Sequence, residues 1–187
     1  ANLISCGITE VEVARRVRIA VLSTGDELVD SPALLGPGKI MNSNGPMLAG
    51  LAIDFGLEVV GVKTVPDDKS ATEAAIRQAM DEADIVVLSG GVSVGEFDYV
   101  LGALTDIGLT VHFSRIAVKP GKPTVFATAG DKAVFGLPGN PVPVFLMFHL
   151  FVLRTAALMS GTVPIEREFR LRLACDIKRG KAERLLY

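Results

Sequence analysis

The sequence predicts an α/β fold: a three-layer, doubly wound, mostly parallel sheet with one antiparallel strand, followed by the start of a C-terminal β-domain. Short aliphatic runs alternate with segments of helical periodicity, which is the order of βαβ units. The chain is 49% hydrophobic with 19 glycines and no tryptophan, as expected when buried parallel strands are unbroken aliphatic runs. A chain of 187 residues can bury such a core without cross-links.

Hydrophobic runs place six strands along the chain. The predicted strands are residues 17–23, 58–65, 85–89, 110–118, 124–128 and 134–137. Between the last two, Ala129-Gly130-Asp131 is a hairpin signal. A hairpin reverses the chain, so we expect strand 124–128 to run antiparallel to the others.

Helical periodicity places four helices, at residues 43–55, 70–82, 98–106 and 142–159. Gly56 ends the first helix. Ser70 and Glu73 form a capping-box pattern at the start of the second. The last segment is apolar but contains His149 and Arg154 and is barely long enough to span a bilayer, so we interpret it as a buried helix.

The predicted domain occupies residues 17–161, with an incoming linker at 1–16. Thr162-Val163-Pro164 reads as a second linker, and residues 169–176 alternate like a β-strand. We therefore interpret 162–187 as a linker and the first strand of a truncated C-terminal β-domain. Both ends of the chain are expected to have been cut from a longer polypeptide.

Charge and cysteine content exclude several classes of function. A net charge of -2 gives no broad basic face, which disfavours nucleic-acid and anionic-membrane binding. Cys6 and Cys175 are far apart and match neither a disulfide framework nor a zinc site, so we expect a reducing cytoplasm. His112 and His149 lie within strand and helix patterns, where a structural role is expected.

Five loops follow the carboxyl ends of outgoing strands, and open α/β sheets bind ligands at that edge. The loops are residues 24–27, 66–68, 89–98, 119–123 and 138–141. The glycines of loop 89–98 permit close backbone approach, and its amides and serines can donate to an anion. Glu96 and Asp98 could hold Mg²⁺ together with substrate phosphates, although Asp98 could instead be a helix cap.

Positive and negative groups occur in the other loops. Lys119 and Lys122 flank a proline-glycine turn that could hold an oxyanion, with two solvated lysines as the alternative. Pro138-Gly139-Asn140-Pro141 precedes a helix whose free amides could form an anion seat, or could simply start the helix. Four carboxylates are expected to converge beside these groups, namely Asp26, Glu27, Asp67 and Asp68. Such a cluster needs a cation or a proton to offset its charge.

Together these loops resemble the MoeA-type molybdopterin molybdenumtransferase family, over about residues 8–184. The motifs that carry the resemblance are STGDELV from Ser23, IMNSNGPML from Ile40, VPDD from Val65, SGGVSVGEFDYV from Ser89, VKPGKPTVF from Val118 and GLPGNPV from Gly136. The resemblance implies a reaction in which adenylylated molybdopterin and molybdate, with Mg²⁺, give molybdenum cofactor and AMP. It also implies a homodimer, with a MogA-type adenylyltransferase earlier in the pathway.

The motifs and the resemblance together define the predicted site. The expected catalytic carboxylates are Glu27, Asp67 and Asp98, and the expected Mg²⁺ ligands are Asp67, Glu96 and Asp98. The expected contacts to the pterin, its phosphate or molybdate are Thr24, Gly25, Ser89, Gly90, Gly91, Ser93, Gly95, Lys119, Lys122, Pro138, Gly139 and Asn140.

One motif departs from the family pattern. Relatives often have Asp-Ser/Thr-Asn-Arg where this chain has Asn42-Ser43-Asn44-Gly45, which puts an arginine-dependent contact there in doubt. Two alternatives stay open at this point. One is a MogA-type adenylyltransferase, whose glycine loop usually reads closer to TGGTG; the other is a non-catalytic scaffold that binds the ligand without turnover.

Overall fold

The computed structural model describes residues 2–92, 99–162, 171–172, 174 and 185–186, and a six-stranded sheet lies at its centre. The strands are β1 (Arg18–Thr24), β2 (Leu28–Val29), β3 (Ile40–Met41), β4 (Glu58–Val65), β5 (Ile85–Ser89), β6 (Thr110–Phe113), β7 (Val118–Lys119), β8 (Val125–Ala129), β9 (Lys132–Leu137) and β10 (Leu185–Leu186). The order in the main sheet is β4-β1-β5-β9-β8-β6.

The strand directions confirm the prediction of a mostly parallel sheet with one antiparallel strand. β1 pairs in parallel with β4 and β5, and β5 pairs in parallel with β9. β8 runs antiparallel to both β9 and β6. Its turn to β9 passes through Gly130 at φ 60°, a conformation that glycine adopts without steric cost.

Helices cover both faces of the sheet, which gives the predicted three layers. They are α1 (Asn2–Ser5), α2 (Asn44–Asp54), α3 (Lys69–Glu82), α4 (Tyr99–Asp106), α5 (Pro141–Met147) and α6 (Leu153–Met159), with a π-helical turn at Phe148–Val152 between the last two. Strand β1 shows the alternation: Ile19 and Val21 pack into the core under α2, α5 and α6, whereas Ala20 and Leu22 pack into the core under α3 and α4.

Two local predictions were wrong. Helix α3 begins at Lys69, and its N-cap is Asp68 instead of Ser70, because the carboxylate of Asp68 accepts the N–H of Ala71 at 2.7 Å. The strand predicted at 110–118 ends at Phe113. Ile116 N donates to the carbonyl of Lys122 at 3.0 Å, so the chain leaves the sheet and folds into a loop before β7.

The helical segment from Pro141 to Met159 is buried on one face only. Among the described residues it is the one helix long and apolar enough to cross a membrane by length and composition. Its inner face packs against β1, β5 and β9 in the core through Val144, Met147, Phe148, Val152 and Ala156. The outer face exposes other apolar side chains, including Val142 and Leu158. The prediction of a buried helix therefore holds for the inner face alone.

The segment before the sheet is attached by an ion pair. Arg15 donates to both carboxylate oxygens of Asp84, at 2.6 and 2.8 Å, and the same carboxylate accepts the N–H of Arg18. These bonds lower the pKa of Asp84, with the Arg15 side chain as the main cause. At the other end, the strand predicted at 169–176 lies largely outside the described residues, and the division at residues 16 and 161 stays a prediction.

Candidate functional site

A cleft of about 620 Å³ opens at the carboxyl ends of β1, β4, β5 and β9, the edge where the sequence predicted a ligand site. Nine of the predicted site residues line it: Thr24, Glu27, Asp67, Ser89, Gly90, Gly91, Pro138, Gly139 and Asn140. Lys119 and Lys122 are not part of its lining, and neither is Gly25. The predictions for Ser93, Gly95, Glu96 and Asp98 fall outside the described residues.

The floor of the cleft is the contact between the glycine loop and the end of β1. Gly90 and Gly91 have φ of 97° and 62°. A Cβ on Gly90 would lie 2.5 Å from the carbonyl oxygen of Thr24, and one on Gly91 would lie 2.9 Å from the Thr24 hydroxyl. Both positions thus require glycine because the loop packs closely on β1. The sequence had suggested a different reason, namely that glycine lets a ligand come close to the backbone.

Two hydroxyls lie at this floor. Ser89 is 2% exposed, and its Oγ lies 3.4 Å from Oγ of Ser23 on the neighbouring strand. Thr24 is 5% exposed, and its Oγ1 has no hydrogen-bond partner among the described residues. A buried hydroxyl without a partner costs about 1–3 kcal/mol, so the floor has unused hydrogen-bonding capacity where a ligand would enter.

Three carboxylates gather on one side of the cleft. The N–H of Asp67 donates to Asp26 at 3.1 Å, and the N–H of Asp26 donates to Asp67 at 3.3 Å. Partial burial raises the pKa of Asp67, and the negative charges of Glu27 and Asp26 raise it further, against the opposing effect of the Asp26 N–H. A cation near Asp67 would offset this repulsion.

Asp68, the fourth carboxylate of the predicted cluster, has a different role. Its side chain accepts from Ala71 N, and its carbonyl accepts from the Thr72 hydroxyl at 2.8 Å. It therefore caps α3 and is not among the cleft residues. In the part of the chain that the structure describes, no group of three or more His, Cys, Asp or Glu side chains could hold a metal ion. Two of the three predicted Mg²⁺ ligands lie outside that part.

The lysine turn touches the cleft through a proline. Lys119 and Lys122 are both exposed, and Pro123 is the residue of this turn that lines the cleft. Gly121, at φ 123°, packs against Met147, where a Cβ would lie 2.6 Å from the sulfur. The turn is thus anchored to helix α5 beside the cleft, and the joint action of the two lysines on an oxyanion stays a prediction.

The start of α5 offers few free amides. Pro141 and Pro143 have no N–H, and the N–H of Val144 donates to the carbonyl of Asn140 at 3.1 Å. Of the first four helical residues, only Val142 can offer an N–H. The predicted anion seat is therefore much weaker than a helix N-terminus without prolines would be.

The sequence reading assigned no ligand contact to the wall made by residues 28 and 40–44. Residues 40–44 belong to the motif IMNSNGPML, which contributed only to the resemblance. Gly45 is buried and does not line the cleft; its N–H donates to Oδ1 of Asn42 at 3.0 Å. Asn44 lines the cleft and donates from Nδ2 to the carbonyl of Gly139 at 2.7 Å, which joins this wall to the loop before α5.

The two histidines have structural contacts, as expected. His112 lies 2.8 Å from the Thr128 hydroxyl and stacks on Phe126. His149 bonds through Nδ1 to the carbonyl of Phe145 in the preceding helical turn. Neither residue lines the cleft.

Comparison with known proteins identifies the family of the chain. A family described as "Probable molybdopterin binding domain" matches residues 20–157. The molybdopterin molybdenumtransferase of Staphylococcus aureus (strain Mu50) is 42% identical over 165 residues, covering 88% of this chain and 39% of that protein. The Staphylococcus epidermidis protein of the same name (strain ATCC 12228) is 41% identical over 152 residues, covering 81% and 36%.

A solved structure shows the same fold. The molybdopterin biosynthesis MoeA protein of Pyrococcus horikoshii superposes with a TM-score of 0.77 at 35% identity, covering 86% of this chain and 39% of that chain. The chain thus spans about two fifths of the length of the relatives that it matches. The MoeA-type resemblance seen in the motifs is confirmed, and the chain belongs to the molybdopterin-binding domain family.

Proposed function

We propose that the cleft binds molybdopterin in its adenylylated form, and that the chain provides this site to a molybdopterin molybdenumtransferase. Such an enzyme would insert molybdenum from molybdate and release AMP. The observation that carries the proposal is the cleft floor, where a glycine loop at the end of a buried strand meets the Thr24 hydroxyl, which has no hydrogen-bond partner among the described residues. Polar floors of this kind at the carboxyl edge of an α/β sheet are where phosphate-bearing ligands bind.

The residues of the predicted site have separate roles in this proposal. Ser89, Gly90 and Gly91 hold the phosphate end of the ligand, and Lys119 with Lys122 attracts molybdate or phosphate from the adjoining turn. Glu27, Asp67 and Asp98 promote cleavage of the phosphoanhydride. Glu96, Ser93 and Gly95 belong to the same loop and complete the predicted site.

A divalent cation near Asp67 would offset the negative charges of Glu27 and Asp26, which together with partial burial raise the pKa of Asp67. Asp67, with Glu96 and Asp98, would hold Mg²⁺, whose charge would stabilise negative charge developing on the phosphoanhydride.

The proposal also covers the oligomeric state, the location and the source of the substrate. We infer a homodimeric, cytoplasmic enzyme that receives its adenylylated substrate from a MogA-type adenylyltransferase. The similarity of the chain to enzymes named molybdopterin molybdenumtransferase supports the class of enzyme in this proposal.

Two experiments test the function. Mass spectrometry of the ligand retained on anaerobic purification should find molybdopterin or its AMP conjugate, and a different cofactor would refute the proposal. In a full-length protein containing this chain, Lys122→Ala should weaken molybdate-dependent AMP release, with a binding cost of about 1.5–3 kcal/mol as for hydrogen bonds to charged groups. Unchanged molybdate dependence and rate would remove the lysine turn from the site.

A further inference from the structure

One wall of the cleft is apolar and exposed. Strands β2 and β3 form this wall, with Leu28, Ile40 and Met41 lining the cleft. Ile40 is 55% exposed and Met41 is 38% exposed. Large apolar side chains that line a polar cleft and remain open to solvent indicate a surface that a ligand covers. We call these three residues the apolar wall.

The apolar wall is held in place by backbone bonds to the acidic side of the cleft. Ile40 N donates to the carbonyl of Glu27 at 2.8 Å, and Asn42 N donates to the carbonyl of Val29 at 2.9 Å. The ammonium of Lys39 donates to the carbonyl of Asp26 at 2.6 Å. The wall is therefore fixed relative to the residues that face it.

A buried amide fixes the other end of the wall. Asn42 is 6% exposed; its Nδ2 donates to Asp30 and to the Thr64 hydroxyl, and its Oδ1 accepts from Gly45 N. These bonds join β3 to strand β4 and to the start of α2. A surface held this way is arranged before the ligand arrives, which lowers the entropy cost of binding.

The side-chain amide of Asn44 lies beside the wall. Asn44 follows Met41 by three residues and lines the cleft, and its Nδ2 donates to the carbonyl of Gly139. Its Oδ1 is buried and has no hydrogen-bond partner among the described residues. An amide oxygen can only accept a hydrogen bond, so a partner for Oδ1 must be an N–H or O–H donor.

We propose that the apolar wall holds the flat face of an amino-substituted heterocycle while an N–H at the edge of that ring is recognised by Asn44. This inference rests on the proposed function, since it places the ring of the ligand whose phosphate lies on the Ser89 to Gly91 loop. A pterin and an adenine share this chemistry: both are planar and carry N–H donors. The wall is thus a specificity-determining part of the site, separate from the phosphate floor.

The test compares three probes on the whole 187-residue chain: pyrophosphate, AMP, and a pterin bearing a phosphate ester. The variant is Ile40→Ser with Met41→Ser. The matched control is Leu34→Ser with Leu35→Ser, two exposed apolar residues close in the chain that do not line the cleft. Calorimetric titration measures each affinity, and melting curves confirm that both variants fold.

The Ile40/Met41 variant should lose about tenfold in affinity for at least one ring-bearing probe, as expected from about 55 Å² less apolar contact. Its affinity for pyrophosphate should not change, and the control should bind all probes normally. Loss for AMP alone assigns the wall to adenine, and loss for the pterin alone assigns it to the pterin; both support the inference. If variant and control bind AMP and the pterin with equal affinity, the inference about the apolar wall is wrong, while the proposed phosphate site is unaffected. Failure of the unmodified chain to bind pyrophosphate overturns the proposed function and this inference with it.

Discussion

Replacing Gly90 with alanine should destabilise the fold, because the glycine loop is packed directly on β1. The new Cβ would lie 2.5 Å from the backbone carbonyl oxygen of Thr24, and the residue would have to keep a φ of 97°. An unfavourable backbone conformation costs about 1–3 kcal/mol, and overpacking against a backbone that must move costs a similar amount. We expect Gly90→Ala to lower the free energy of unfolding by roughly 2–5 kcal/mol.

Gly139→Ala is the matched control for this prediction. Gly139 is exposed at the same cleft, and its Cβ would lie at an ordinary 3.7 Å from the Cα of Gly90. Its φ is not positive. We expect a stability change within about 0.5 kcal/mol for this substitution. In urea denaturation at ~2 kcal/mol/M, the Gly90→Ala midpoint should fall by about 1–2.5 M relative to the control. Equal midpoints would refute the reasoning that the loop needs glycine for internal packing.

Three further predictions concern carboxylates. Asp68→Ala should cost about 1 kcal/mol of stability through loss of the α3 cap, whereas Asp68→Asn should melt normally; an early-melting Asn variant would argue against capping. Since the pKa of Asp67 is raised on folding, its ionisation opposes folding at neutral pH and not in acid. Asp67→Asn should therefore raise the melting temperature at pH 7 and have little effect at pH 3, while weakening turnover in the full-length protein; a lowered melting temperature at pH 7 would contradict this. The pKa of Asp84 is lowered on folding, so its contribution is present above about pH 4 and is lost as pH falls further. Arg15→Ala should thus destabilise at pH 7 more than at pH 2, and a pH-independent loss would show that the ion pair is not the cause.

The succession of strands and helices along the chain and the layers could be predicted because buried strands and amphipathic helices differ in hydrophobic period. The run Ile85–Ser89 is buried along its whole length, as a central parallel strand requires. Gly56 ended α2 as expected because a left-handed residue after a helix favours glycine. These are local signals, and they determine where elements begin and end.

The site was predictable where it consists of loops at strand ends and was not where it depends on tertiary contacts. Asp68 and Asp67 are adjacent in the sequence, yet one caps a helix and the other faces the cleft, and only the path of the chain after β4 separates these roles. Gly90 was expected to let a ligand come close to the backbone, but the group that lies against it is Thr24 of β1. Ile40 and Met41 gave no signal of a ligand contact in the sequence, since two consecutive apolar residues do not show which surface they face.

The central claim is that the ligand binds at the carboxyl edge of the sheet, and an anaerobic NMR titration of the 187-residue chain with molybdopterin tests it most directly. Backbone amide shifts should change within residues 24–28, 40–44, 89–92 and 139–140, which surround the cleft. The shifts of amides at the opposite edge, around residues 55–57 and 156–162, should not change. Shifts confined to that opposite edge, or no saturable shifts, would contradict the account.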